Sequence, residues 1–284
     1  MNIWQAILLG LVQGLTEFLP VSSSAHLVAA QALLGADRPG VMVEVALHFG
    51  TLLAILIVFR RALLEIARDG LVGAWLYASG AGAEAVAERA PHFAVALAVL
   101  VGSLPVAAAG VLLEGRVKDA FASPGTAGAF LCVTGLLLLA TRKAPAPRTA
   151  RVGPVRGLVI GLAQAAALLP GISRSGVTIA AGYFLGLERR VAARFSFVLA
   201  VPALIGAALW EARGTVSNMG ASGGPGTDSL IHLGALAAGT LVSALVGMAC
   251  LLLLLRVVER GRLHWFAAYC LPAGLLMMAA AWLA

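Results

Sequence analysis

Two stretches of this chain are apolar enough to enter a bilayer and too broken to cross it. Residues 3–34 are interrupted by LPVSSSAH, and residues 157–186 by LPGISRSG. Each half is about 10–17 residues long, short of the ~20 needed to cross ~30 Å of hydrocarbon. Both breaks combine Pro with a Ser cluster, and the second adds Gly, all strong interrupters of regular structure. Non-helical backbone survives at membrane depth only where it is buried in protein or lines a wet cavity. Both stretches therefore read as re-entrant helix–loop–helix hairpins.

Composition places the hairpins in a polytopic helical membrane protein. Of the 284 residues 61% are hydrophobic and 12% charged, against about 25% charged in soluble domains. Six unbroken spans are expected at 41–59, 92–113, 124–141, 195–210, 231–255 and 265–284, in one membrane domain over 1–284. The two broken regions also resemble each other. GLVQGLTEFLPVSSSAH and GLVIGLAQAAALLPGISRSG share a GLVxGL start, a following Gln or Glu, a Leu-Pro and a Ser-rich loop. Repeats over 1–141 and 157–284 give an all-α inverted-repeat fold.

The net charge of +7 invites a nucleic-acid reading, and its distribution excludes one. Fourteen of the twenty basic residues lie in four clusters between apolar spans: Arg60/Arg61/Arg68, Arg142 to Arg156, Arg189/Arg190/Arg194 and Arg256/Arg260/Arg262. Aromatic residues do not interleave with them, as single-strand binding would require. With alternating sides, all four fall in the cytoplasm, as the positive-inside rule asks. That predicts a multi-pass protein with both termini on the periplasmic side. The first hairpin then enters from outside and the second from inside, so that their tips meet.

Between the spans, Arg60–Trp75 reads as an amphipathic helix on the cytoplasmic surface. Residues 77–91 read as a flexible link, and 215–229 as a Gly/Ser-rich outer loop. Cys132, Cys250 and Cys270 all lie in apolar spans, an odd set with neither disulfide framework nor zinc spacing. A cleavable signal peptide is not expected, because the first apolar run lacks a basic leader and carries Gln13 and Glu17.

The polar residues of the breaks carry the chemistry. Gln13 and Glu17, four apart, share a helix face, and Pro20 ends that helix. Ser22, Ser23 and Ser24 can cap the next helix, with His26 in its first turn. In the second break, Gly171 and Gly176 allow close backbone approach, and Ser173 or Ser175 can cap a helix beginning near Val177. Arg174 offers a planar fork suited to phosphate, and Thr178 adds a hydroxyl. Helix N-termini are themselves anion sites. A carboxylate in such an anion site makes sense as ligand of a divalent cation bridging to phosphate, or as a base, alone or with His26. The chemistry implied is hydrolysis of a phosphate group on a membrane-resident substrate.

Other polar residues carry less. His48, one turn after Glu44, reads as structural or as a support behind the site; His92, His232 and His264 sit at span ends; Gln164 faces the site by analogy with the first repeat. The chain lacks a P-loop and an HExxH motif. The type-2 phosphatidic acid phosphatase pattern needs a histidine six residues after its Ser-Arg pair, where Ala180 stands.

With these residues assembled, nearly the whole chain resembles the undecaprenyl-diphosphate phosphatase family, membrane enzymes linked to bacitracin resistance. The family's first motif, Glu or Gln, three residues, then Glu, matches Gln13–Glu17 within QGLTEFLPVSSSAH. Its second, P-G-x-S-R-S-x-x-T, matches PGISRSGVT, and ARFSFVLAVPALIGA is also similar to the family. The resemblance implies hydrolysis of undecaprenyl diphosphate to undecaprenyl phosphate, the lipid carrier of cell-wall synthesis. It implies an interlocked inverted-repeat fold, a divalent cation (Mg²⁺ or Ca²⁺), and roles for Glu17, Ser23, His26, Ser173, Arg174 and Thr178. The polyprenyl diphosphate is the expected partner within the bilayer, with a homodimer as the form of association allowed. Two departures stand out. Ala25 replaces the usual Gly before the histidine, and Gln13 leaves a cation one carboxylate fewer. The nucleophile stays open between serine (Ser23 or Ser173), His26 and water. Broken helices and inverted repeats also suit a transporter or flippase of a polyprenyl phosphate.

Overall fold

The computed structural model describes residues 2–33, 41–113, 115, 120, 123–219 and 227–283. Its main elements are eleven α-helices: α1 (Ile3–Phe18), α2 (Ser23–Leu33), α3 (Val41–Ala78), α4 (Ala83–Arg89), α5 (Phe93–Leu112), α6 (Pro124–Ala140), α7 (Pro154–Ala166), α8 (Arg174–Phe184), α9 (Arg189–Met219), α10 (Thr227–Glu259) and α11 (Ala267–Leu283). Several begin where the sequence supplies a cap. Asn2 and Gln5 form a reciprocal capping box on α1, Ser123 caps α6 ahead of Pro124, and Pro154 opens α7.

Five described segments are long and apolar enough to cross a membrane: Phe93–Leu112, Pro124–Lys143, Arg189–Trp210, Leu233–Glu259 and Leu263–Leu283. The expected span 41–59 is the first half of α3, a single 38-residue helix. Arg60–Trp75 continues that helix instead of forming a separate one. The junction carries no breaker, and Arg60 Nη1 donates to the Ile57 carbonyl at 2.9 Å. The link expected over 77–91 contains α4. Its Ala/Glu-rich sequence favours helix despite the flanking glycines. Helices α9 and α10 run into 215–229 as far as Met219 and from Thr227; 220–226 lie outside the described residues, as do the loop 34–40 and much of 114–123.

The hairpins are set by reciprocal packing. Helix α1 lies along α10 and runs parallel to it: a Cβ on Gly10 would come within 2.3 Å of the Gly239 carbonyl, and one on Gly14 within 2.9 Å of the Gly247 nitrogen. Helix α7 lies along α5 in the same sense, through Gly157 against Ala98 and Gly161 against Gly102. Each hairpin's leading helix thus packs on a helix from the other half of the chain. Helices α6 and α11 run antiparallel, Gly128 against Gly274. Small residues at these crossings let backbones approach closely, the packing that works without a hydrophobic drive between helices.

Below the hairpin tips the core is apolar. Phe18 meets Phe197 edge-on at 5.7 Å, and Phe59 stacks on Phe197 at 6.0 Å. Large apolar side chains such as Trp4, Leu104, Leu112, Leu276 and Trp282 face outward, a surface suited to lipid.

Candidate active site

The first tip is short. Helix α1 ends at Phe18 because Leu19 turns extended (φ −64°, ψ 143°) before Pro20. The chain reverses through 19–22, and Ser22 takes a left-handed φ of 65°, costing roughly 1–2 kcal/mol for a residue with a Cβ. The second tip covers 167–173 and turns on Gly171 at φ 97°, where a Cβ would strike the Ala127 carbonyl at 2.1 Å. Ser173 then caps α8, its Oγ accepting the Gly176 N–H at 3.2 Å. The helix starts at Arg174, earlier than the expected Val177, because Ser173 is the serine that caps.

The tips touch. The Gly171 N–H donates to Ser22 Oγ at 3.1 Å, and Arg174 Nη2 donates to Glu17 Oε1 at 2.6 Å. Thr134 of α6 fastens the second tip from behind: its hydroxyl donates to the Gly171 carbonyl at 2.8 Å and accepts the Ser173 N–H at 3.0 Å. Glu17 is the hub. Its Oε2 accepts from Ser23 Oγ at 2.7 Å and from Gln13 Nε2 at 3.1 Å, and His48 Nε2 lies 3.7 Å away. The carboxylate and Arg174 are both largely buried, at 5% and 14% side-chain exposure. Neither charge is therefore isolated, and removing one partner would leave the other uncompensated.

The remaining expected residues divide. His26 Nδ1 is 2.8 Å from the Ser22 carbonyl, and its ring stacks on Tyr269 of α11. Ser24 bonds Ser22 at 3.1 Å, and Ser175 bonds Ser173 at 3.2 Å. Gly176 packs against Ser173 and Pro20. The Thr178 hydroxyl is engaged with the Arg174 carbonyl at 2.7 Å and Ser196 Oγ at 2.6 Å, so it braces the Arg174 turn. Gln164 is buried with its amide nitrogen 3.5 Å from the Leu199 carbonyl, and joins neither Glu17 nor Arg174 in a hydrogen bond. Sequence reasoning passed over Thr134, Ser196 and Tyr269; His48, read as structural or as a support behind the site, lies beside Glu17. A lone histidine inside the apolar span 41–59 was the one available signal; the others are ordinary residues brought in by tertiary packing.

Ser23 and Glu17 have the spacing of a nucleophile and its base. Three side-chain atoms among the described residues are buried without a hydrogen-bond partner: Arg174 Nη1 and Gln13 Oε1 at the joint, and Gln164 Oε1. The joint thus leaves one donor group and one acceptor open. The donor suits a phosphate oxygen. The acceptor, with Glu17, suits a hard cation that takes its other oxygens from substrate and water, as Mg²⁺ commonly does. A cluster of three His, Cys, Asp or Glu side chains able to hold a metal without substrate does not occur among the described residues.

Comparison with known proteins identifies the family. The family model "Bacitracin resistance protein BacA" matches residues 6–276. An undecaprenyl-diphosphatase of Desulfosudis oleivorans is 45% identical over 273 residues, covering 95% of each chain. One from Desulfatibacillum aliphaticivorans is 40% identical, over 97% of this chain and 98% of its own. One from Korarchaeum cryptofilum is 38% identical, over 98% and 99%. The family model and these relatives both cover nearly the full length, so the chain belongs to the bacitracin resistance protein BacA family.

Proposed function

We propose that this multi-pass membrane protein hydrolyses undecaprenyl diphosphate to undecaprenyl phosphate and inorganic phosphate, the reaction named for its relatives. The observation that carries the reading is the joint between the tips, where a serine hydroxyl bonded to a buried carboxylate stands beside a guanidinium with one free N–H. Arg174 and the N-termini of α2 and α8 bind the diphosphate. Ser23 Oγ attacks the terminal phosphorus and gives its proton to Glu17. The bridging P–O bond breaks, and undecaprenyl phosphate leaves with the bond's electron pair. Water then attacks the phosphoserine, displacing the Tyr269 hydroxyl from His26 Nε2 and giving its proton to that nitrogen; the Ser23–phosphorus bond breaks, Glu17 returns its proton to Ser23 Oγ, and phosphate leaves. The geometry favours Ser23 over Ser173, whose Oγ is 2% exposed as a residue and occupied in capping α8.

A divalent cation, held by Glu17 and Gln13 Oε1, would neutralise charge on the diphosphate. The basic clusters support placing the enzyme in the bacterial cytoplasmic membrane with six spans, two re-entrant hairpins and periplasmic termini.

The test is phosphate release from a polyprenyl diphosphate by purified protein in detergent. Release that is lost in Ser23→Ala and Arg174→Ala supports the reading. Absence of release from the wild type, or movement of intact diphosphate across vesicles without release, sinks it.

A further inference from the structure

We propose that the groove between the basic ends of α6 and α11 is a binding site for the headgroup of an anionic glycerophospholipid. Two membrane-crossing segments end here, Pro124–Lys143 and, beginning at the 3₁₀ turn Leu263–Phe266, Leu263–Leu283. The groove encloses about 420 Å³, with Leu139 and Arg142 on one wall and His264, Trp265, Ala268 and Leu271 on the other. That volume lies in the range of clefts that seat small ligands. Its polarity is graded. Arg142, His264 and Trp265 stand at the rim; Leu139 lies one turn in from Arg142, and Ala268 and Leu271 one and two turns in from His264. A cationic rim over an apolar floor matches a phosphate ester above acyl chains, and a Trp at that level suits the membrane–water interface.

The rim charge is uncompensated. Arg142 and Arg262 are exposed, and neither forms an ion pair with a described residue. Arg262 lies over the Trp265 ring, its Cζ 4.3 Å from the centroid. Such a stack uses the face of a guanidinium and leaves its N–H edge available. Glu259, the acidic residue nearest in sequence to the α11 wall, is taken by Arg190 at 3.0 Å. A phosphate diester would supply the missing negative charge, and basic pockets between membrane helices at headgroup depth recognise such lipids. Positive-inside charge does not explain the site, because a diffuse basic surface needs neither a cavity nor a grading from charge to hydrocarbon. The groove is also separate from the hairpin joint, since its lining includes no residue of the tips 19–22 and 167–173.

Native mass spectrometry of the full chain, purified in detergent and stripped of lipid, tests the site with phosphatidylglycerol and phosphatidylcholine as probes. One phosphatidylglycerol should bind per chain roughly tenfold more tightly than phosphatidylcholine, whose ammonium meets only basic side chains at the rim. Arg142→Ala should weaken phosphatidylglycerol about tenfold, the loss of a hydrogen bond to a charged group. Ala268→Trp keeps the arginines, fills the floor, and should weaken binding as much; either groove variant decides if the other does not fold. Arg61→Ala removes an exposed arginine from the basic cluster on α3 and should change the affinity less than about threefold, because attraction by a remote charge is screened. Equal binding of the two lipids, unchanged binding in both groove variants, or an Arg61→Ala loss equal to that of Arg142→Ala would overturn the proposal. A polyprenyl phosphate that displaces phosphatidylglycerol at equal concentration would overturn it by making the groove a product site. A dimer that is lost in Ala268→Trp would overturn it by making the groove a subunit interface.

Discussion

The two hairpin tips are built from similar words, and the structure uses them differently. The second turns through seven residues, 167–173, on a glycine at φ 97°, and its backbone is fastened by Thr134 at two points. Its serines 173 and 175 are buried and bonded to each other or to backbone. The first turns through four residues, 19–22, on Ser22 at φ 65°, and its serines 23 and 24 and His26 are only partly buried. One tip is a clamped platform that presents the Arg174 guanidinium; the other is a strained, more open loop that carries Ser23 and His26, the residues proposed as nucleophile and base. Strain held at a working loop is affordable where the neighbouring structure over-determines it, here through the Gly171 N–H and the Arg174–Glu17 pair.

If that division holds, the largest effect is at the joint. Arg174→Ala should lower phosphate release by 10³-fold or more, an order-of-magnitude figure for loss of a preorganised charge. It should also destabilise the fold by about 3–5 kcal/mol, because Glu17 is left buried and unpaired. Arg174→Lys should restore some stability and little turnover, since an ammonium cannot bond Glu17 and phosphate as a fork does. Turnover and detergent melting measured together check both.

The sharpest contrast compares two serines in similar sequence. Ser23→Ala should abolish turnover while leaving the melting temperature nearly unchanged, and wild type should yield a trapped phosphoserine at position 23. Ser173→Ala should cost about 1 kcal/mol of stability as a lost cap and lower turnover less than tenfold, a barrier change below ~1.4 kcal/mol. Trapping phosphate on Ser173 would reverse the roles of the tips.

Clamping can be broken separately. Thr134→Val leaves the Gly171 carbonyl and the Ser173 N–H without their partner, at about 1–3 kcal/mol for a buried unsatisfied group. Stability should fall first, with turnover following as the second tip loosens. Equal turnover and equal melting would show that the second tip needs no anchor.

The legible part of this molecule was what local pattern encodes. Breaks at Pro20 and Pro170 marked the hairpin tips, and paired motifs put Glu17, Ser23 and Arg174 on opposing loops. Resemblance to a family supplied the substrate, which residue types alone left as a phosphate on a lipid. The misses share a cause. Arg60–Trp75 is amphipathic as a segment, yet helix propagation simply continues through it. Residues 77–91 look like a linker by Gly and Ala content, yet seven of them close a helix. Thr134 and Tyr269 enter through packing between helices distant in sequence and Ser196 from the helix after α8, and no spacing rule reaches across the 243 positions between His26 and Tyr269.

The smallest expected effect is a control far from both tips. Asp69, buried at 4% exposure, accepts from the His92 backbone N–H at 3.0 Å and lies 2.8 Å from His92 Nδ1. These contacts, the backbone bond foremost, hold its carboxyl below the usual aspartate range against the opposing effect of burial. A carboxyl with a lowered folded-state pKa contributes stability above its unfolded value, about 3.9, and loses it as pH falls through the lowered one. Asp69→Asn should therefore cost roughly 0.5–1.5 kcal/mol near pH 6. The gap between wild type and variant should close as the pH drops below about 4. Turnover should match wild type, because the pair staples α3 to the start of α5 and touches neither tip. A gap that widens in acid would mean that Asp69 does not carry the charge in this staple, and a fall in turnover would mean that the platform extends to the base of α5.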